Sequence, residues 1–99
     1  MIVEHGILNI KPGQSAAFEA AIRQALPLIA ATDGFIGIEV SPCIETKDRY
    51  LLIVQWETLE AHTVNFRGSE RYQQWRALLH HFYEPAPVIE HYGEPAASA

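Results

Sequence analysis

The stretch "RYLLIVQWE", residues 49–57, is apolar on both parities: Tyr50, Leu52, Val54 and Trp56 on one, Leu51 and Ile53 on the other. Its aromatic and β-branched residues mark a strand. An antiparallel strand with one wet face alternates apolar and polar side chains. This one does not, so both faces of its sheet require a cover.

Working outward, "GFIGIEVSPCI" (34–44) reads as the preceding strand, joined through the polar turn "ETKD" (45–48) into a hairpin. "MIVEHGILNI" (1–10), ending at the turn signal "KPG", reads as a first strand, again apolar on both faces. Between them "GQSAAFEAAIRQALPLIAATDG" (13–34) carries Phe18, Ile22, Leu26 and Ile29 at helical spacing. Ser15 is its expected N-terminal cap, Gly34 follows its end, and Pro27 is expected to kink or divide it near Gln24. After the hairpin, "TLEAHTVNF" (58–66) predicts a short helix capped by Thr58 and broken by "RGS". "ERYQQWRALLHHFYE" (70–84) predicts a further helix capped by Ser69, with Tyr72, Trp75, Leu79 and Phe82 along one face. "PAPVIEHY" (85–92) reads as the last strand.

The order is β-α-β-β-α-β with the second helical segment broken. It defines an α+β, ferredoxin-like arrangement: an antiparallel sheet with helices on one face. The simplest cover for the other face is the same face of a second copy, so a homodimer with paired sheets is expected. Residues 1–93 form one domain, and residues 94–99 are expected as a disordered tail.

A net charge of −5 argues against nucleic acid and against an anionic membrane, since both require a dense basic patch. The single cysteine, Cys43, forms no intrachain disulfide and sits in no thiol-enzyme motif. The first residues lack the basic and apolar regions of a signal peptide, and no apolar run approaches a membrane span, so a cytoplasmic location is expected. No glycine-rich nucleotide motif occurs. His5, His80, His81 and His91 offer no third ligand beside the neighbouring-strand pair His5 and His91, so no metal is expected.

The segment "QWETLEAHTVNFRGSERYQQWR" (55–76) gathers aromatic and polar residues in a few turns. The chain resembles the antibiotic biosynthesis monooxygenase family of dimeric α/β barrels, from "NIKPG" through "GFIGIEV" and "QWETLEAHTVNF" to "VIEHY". Members similar in this segment oxidise polycyclic aromatic phenols to quinones with dioxygen, without flavin, metal or haem, between sheet and helices. The resemblance sets the family's Trp at Trp56, a Tyr at His62, an Asn at Leu52 and an Arg at Arg76. His62 still transfers protons, whereas Leu52 does not. A haem-degrading branch has its Asn, Trp and His where this chain has Gly6, Asn65 or Phe66, and Arg76, none of them an iron ligand.

What the resemblance implies is a cofactor-free monooxygenase for a phenolic or quinol-type molecule, with dioxygen as co-substrate. His62 would be the base, Arg76 would hold the anion, and Trp56 would complete the catalytic group. Leu52, Asn65, Phe66, Tyr72 and Trp75 would line the substrate site. Ordinary packing accounts for Trp56, Phe66, Tyr72 and Trp75 equally well. Asn65 could simply cap the break before Gly68, and Arg76 could be a solvated helix partner. A non-catalytic small-molecule-binding dimer, and an isomerase or lyase on the same scaffold, remain open alternatives.

Overall fold

A computed structural model of residues 1–99 contains four strands: β1 (Ile2–Asn9), β2 (Phe35–Pro42), β3 (Arg49–Trp56) and β4 (Glu90–Tyr92). They form one antiparallel sheet in the order β2-β3-β1-β4. Helices α1 (Ser15–Ala30) and α2 (Glu70–Leu79) pack on one face of it. This is the ferredoxin-like arrangement expected.

The register fixes which side chains face the helices. Ile2, Glu4, Gly6 and Leu8 of β1 stand opposite Trp56, Val54, Leu52 and Tyr50 of β3. These inward positions join Phe18, Ile22, Ala25 and Ile29 of α1 and Trp75 and Leu79 of α2 in one core. On the outer face Val3, His5 and Ile7 pair with Gln55, Ile53 and Leu51. Ile7 is 39% exposed, Leu51 37% and, on β4, Tyr92 51%.

Several local expectations change. Helix α1 continues through Pro27 without dividing; a missing N–H there removes one hydrogen bond, which the packed Phe18–Ile29 face outweighs. Ala25, not Leu26, completes its fully buried stripe. Ser15 does not cap α1: it is already the first helical residue, Gln14 holds the cap position, and the Ser15 hydroxyl donates to Asp48 Oδ1. Ser69 does cap α2, accepting the Tyr72 N–H at 3.2 Å. That helix stops at Leu79 and passes into a 3-10 turn, His80–Phe82. The last strand is shorter than its apolar run: only Glu90–Tyr92 pair with β1.

The short helix after β3 is a π-helix, Ala61–Phe66. Thr58 Oγ1 accepts the Ala61 N–H at 3.2 Å, and the Arg67 N–H reaches back to the His62 carbonyl at 3.0 Å. The wider turn brings Ala61, His62 and Phe66 all to the buried side. Gly34, at φ 90°, lets the chain enter β2 against this element. A Cβ at Gly34 would lie 2.6 Å from that of Ala61.

Candidate functional site

Glu4 occupies an inward position on β1, directly opposite His91 of β4 and Val54 of β3. Alternation therefore forces its carboxyl group under the helices, where it is 5% exposed. One partner is supplied from β3: the Trp56 indole N–H donates to Glu4 Oε1 at 3.0 Å. The π-helix then lays His62 over Trp56, with ring centroids 5.3 Å apart and planes inclined by 15°. His62 is only 3% exposed. Its Nε2 faces Glu4 Oε1 at 3.5 Å, and its Nδ1 lies 2.7 Å from His91 Nε2. Four elements thus contribute to one chain of groups, from Trp56 through Glu4 and His62 to the half-buried His91.

Burial controls the protonation of these groups. Desolvation raises Glu4 above the usual carboxylate range, against the lowering influence of the Trp56 hydrogen bond and the Arg67 charge. It lowers His62 to about 3, with Arg67 and His91 adding to the effect. His62 is therefore neutral at ordinary pH. Burial also lowers His91, again helped by Arg67. Tyr83 is pushed well above the phenol range by burial, with Glu4 and Tyr72 as smaller causes.

Glu4, His62, Arg67 and Tyr83 edge a cavity of about 280 Å³ between the sheet and the helices, with His91 outside its lining. Leu8, Leu52, Phe66, Tyr72, Trp75 and Ile89 provide much of its apolar wall. Glu4, His62, Arg67, His80 and Tyr83 provide polar groups. Apolar walls with a few converging polar side chains are the usual make-up of a small-molecule site. The arrangement offers a neutral imidazole, a cation and a largely apolar space for a guest.

His62, Leu52, Phe66, Tyr72 and Trp75 thus lie together around one cavity. Trp56 is fully buried behind His62 and is not part of the lining. Two expected site residues lie elsewhere. Arg76 is exposed and does not line the cavity: Trp75 is the inward residue of that turn, and the next residue is rotated by about 100°. Asn65 is exposed and donates from Nδ2 to the Asp33 carbonyl at 3.1 Å, tying the π-helix to the loop before β2. The cation at the cavity is Arg67, one of three unforeseen residues with Glu4 and His91. Glu4 left a trace in the sequence, as a carboxylate on the inward parity of an apolar strand. His91 left only its place on a strand neighbouring β1. Arg67 left none beyond its position in the helix break. No three His, Cys, Asp or Glu side chains converge as metal ligands.

A small ferredoxin-like chain with a cavity between sheet and helices defines a broad structural class. The chain belongs within it to the antibiotic biosynthesis monooxygenase family, whose sequence model matches residues 1–78. It is 51% identical over 92 residues to the uncharacterized protein YczJ of Bacillus subtilis (strain 168), covering 93% of this chain and 97% of that one. A crystal structure from Bordetella bronchiseptica, named for the same family, superposes with a TM-score of 0.89 at 36% identity, covering 95% of this chain and 96% of the other. SnoaB of Streptomyces nogalater, a cofactor-independent oxygenase, shares the fold with a TM-score of 0.84 at 12% identity, over 97% of this chain and 94% of that one. No helix is long and apolar enough to cross a membrane.

Proposed function

We propose that this protein is a homodimeric, cofactor-independent monooxygenase that oxidises a small phenol or quinol with dioxygen. The observation that carries the reading is the largely apolar cavity edged by a neutral His62, with the cation of Arg67 at its margin. The family, and the cofactor-independent SnoaB among proteins of this fold, support it. The volume, about 280 Å³, is roughly twice the ~150 Å³ cavity that holds a benzene. A two-ring phenol or hydroquinone fits that space better than a larger polycycle.

In this mechanism His62 accepts the substrate's hydroxyl proton and Arg67 stabilises the resulting phenolate. Arg67 takes the anion-holding role that the family resemblance implies for Arg76. An electron-rich ring carbon that carries hydrogen, para to the oxygen in a phenol or ortho to it in a hydroquinone, attacks dioxygen. The O–O bond breaks, one oxygen stays as the new carbonyl, and the other leaves as water with the displaced ring hydrogen and the phenolic proton. Phenol plus O2 gives quinone plus H2O, so the substrate supplies all the electrons. Leu52, Phe66, Tyr72 and Trp75 hold the ring and exclude water. The exposed apolar side chains of the outer sheet face meet the same face of a second copy.

The test is dioxygen uptake by the purified protein over a panel of one- and two-ring phenols and hydroquinones. The expected result is uptake matched by quinone formation and reduced about 10²-fold in His62→Phe. Tight binding without turnover would replace the reading with a binding protein. Turnover that persists without dioxygen would replace it with an isomerase or lyase.

A further inference from the structure

A base enclosed as His62 is has a difficulty. Its ring is buried, and the positive Arg67 opposes a second positive charge there. An imidazolium that stored the substrate's proton would be strongly disfavoured. An imidazole has another option: it takes a proton on one nitrogen and releases a different one from the other, staying neutral. The two nitrogens of His62 are placed for this. Nε2 turns toward Glu4, another lining residue, and makes no hydrogen bond within the chain. Nδ1 is engaged with His91 Nε2 at 2.7 Å. His91 is half-buried on the three-residue edge strand β4, so it connects the pair to solvent.

Resting on the reading above, we propose that His62 and His91 form a proton conduit, with His91 the terminal acceptor that releases the substrate's proton to solvent. The substrate O–H bond breaks as an N–H bond forms at His62 Nε2. The His62 Nδ1–H bond breaks as an N–H bond forms at His91 Nε2. His91 then returns its Nδ1 proton to water or buffer. The pair resets in reverse: the His62 Nε2–H bond breaks as that proton joins the oxygen leaving as water, His62 Nδ1 takes the proton on His91 Nε2, and His91 Nδ1 takes one from solvent. Glu4 is a positioning residue. The Trp56 N–H holds its Oε1, which keeps the carboxyl group 3.5 Å from Nε2. The charged and titratable groups facing the pair are Glu4 from β1 and Arg67 beyond the π-helix. Tyr72, His80 and Tyr83 lie around the same cavity.

Two experiments on the full chain test this, and the first needs no substrate. Nitrogen-15 NMR of labelled histidines should show His62 as the Nδ1–H tautomer, with a shift in its tautomer balance in His91→Phe. Finding Nε2–H as the resting form of His62, unchanged in His91→Phe, would overturn the conduit even if the enzyme oxidises phenols. Absence of turnover in the native protein would instead remove the proposed reaction, while the NMR result would still decide the conduit. The second experiment uses a phenol that the native protein oxidises. His91→Ala should lose roughly 10²-fold in kcat at low buffer, with KM little changed. Imidazole or concentrated phosphate should restore much of that loss. A loss indifferent to buffer would mark His91 as structural and contradict the proposal.

Discussion

Trp56 donates its indole N–H to Glu4 Oε1 at 3.0 Å, from a position diagonal to Glu4 across the β1–β3 ladder. The bond satisfies the only polar atom of a fully buried indole and part of a carboxyl group that is 5% exposed. It also fixes the floor on which His62 lies. Trp56→Phe keeps an aromatic ring but leaves the carboxyl group without its donor. The expected loss is about 1–3 kcal/mol of unfolding free energy, read by urea denaturation. Glu4→Gln, whose amide oxygen still accepts from Trp56, should cost less.

The buried histidine makes stability depend on pH. The folded pKa of His62, about 3, lies below the unfolded value of 6.5, so the unfolded chain binds the extra proton between them. This contribution is fully present above pH 6.5 and is lost as pH falls toward 3. Its full size is roughly 3–5 kcal/mol. Glu4 acts in the opposite direction: its folded pKa is raised, so its stabilisation is present below the unfolded value of 4.5 and is lost as pH rises through the folded one. Urea midpoints measured from pH 4.5 to 7 should rise in the native protein. In His62→Gln, without the histidine contribution, the rise should flatten or reverse. An unchanged slope would show that His62 titrates normally.

Gly34 combines a positive φ with close approach to the π-helix. Gly34→Ala imposes backbone strain and a contact with Ala61 Cβ at 2.6 Å. It should cost about 1–3 kcal/mol by chemical denaturation. It should also disturb the His62 and His91 resonances, since Ala61 precedes His62 on the same turn.

The outer sheet face predicts self-association. Val3, Ile7, Leu51, Ile53 and Tyr92 lie on it, and no helix covers them. Sedimentation at micromolar concentration should give twice the chain mass, with an interface of at least about 1,200 Å². Leu51→Glu with Ile53→Lys should yield monomer. A native monomer would remove the account of these strands.

Much of the fold was legible because it rests on period and parity. The doubly apolar "YLLIVQW", the Phe18–Ile22–Ile29 stripe and the Thr58 and Ser69 caps are local signals. The site was less legible because it depends on which elements meet. His62 drew attention as a histidine beside Trp56, but nothing local shows that β4 returns to place His91 against it. Arg76 and Arg67 are both arginines near aromatic residues. Only the rotation of α2 about Trp75 sends Arg76 to solvent, while the helix break leaves Arg67 at the cavity. A π-helix is not legible from an α-helical period either, and it is the π-type turn that sets His62 inward.

The most direct measurement of the central claim is the fate of dioxygen. The protein, with a two-ring phenol and 18O2, should form a quinone carrying one labelled oxygen, with the second labelled atom in water. Metal chelators should have no effect, and the yield should fall about 10²-fold in His62→Phe. Quinone without label, or an equal yield from His62→Phe, would contradict a monooxygenase built around His62.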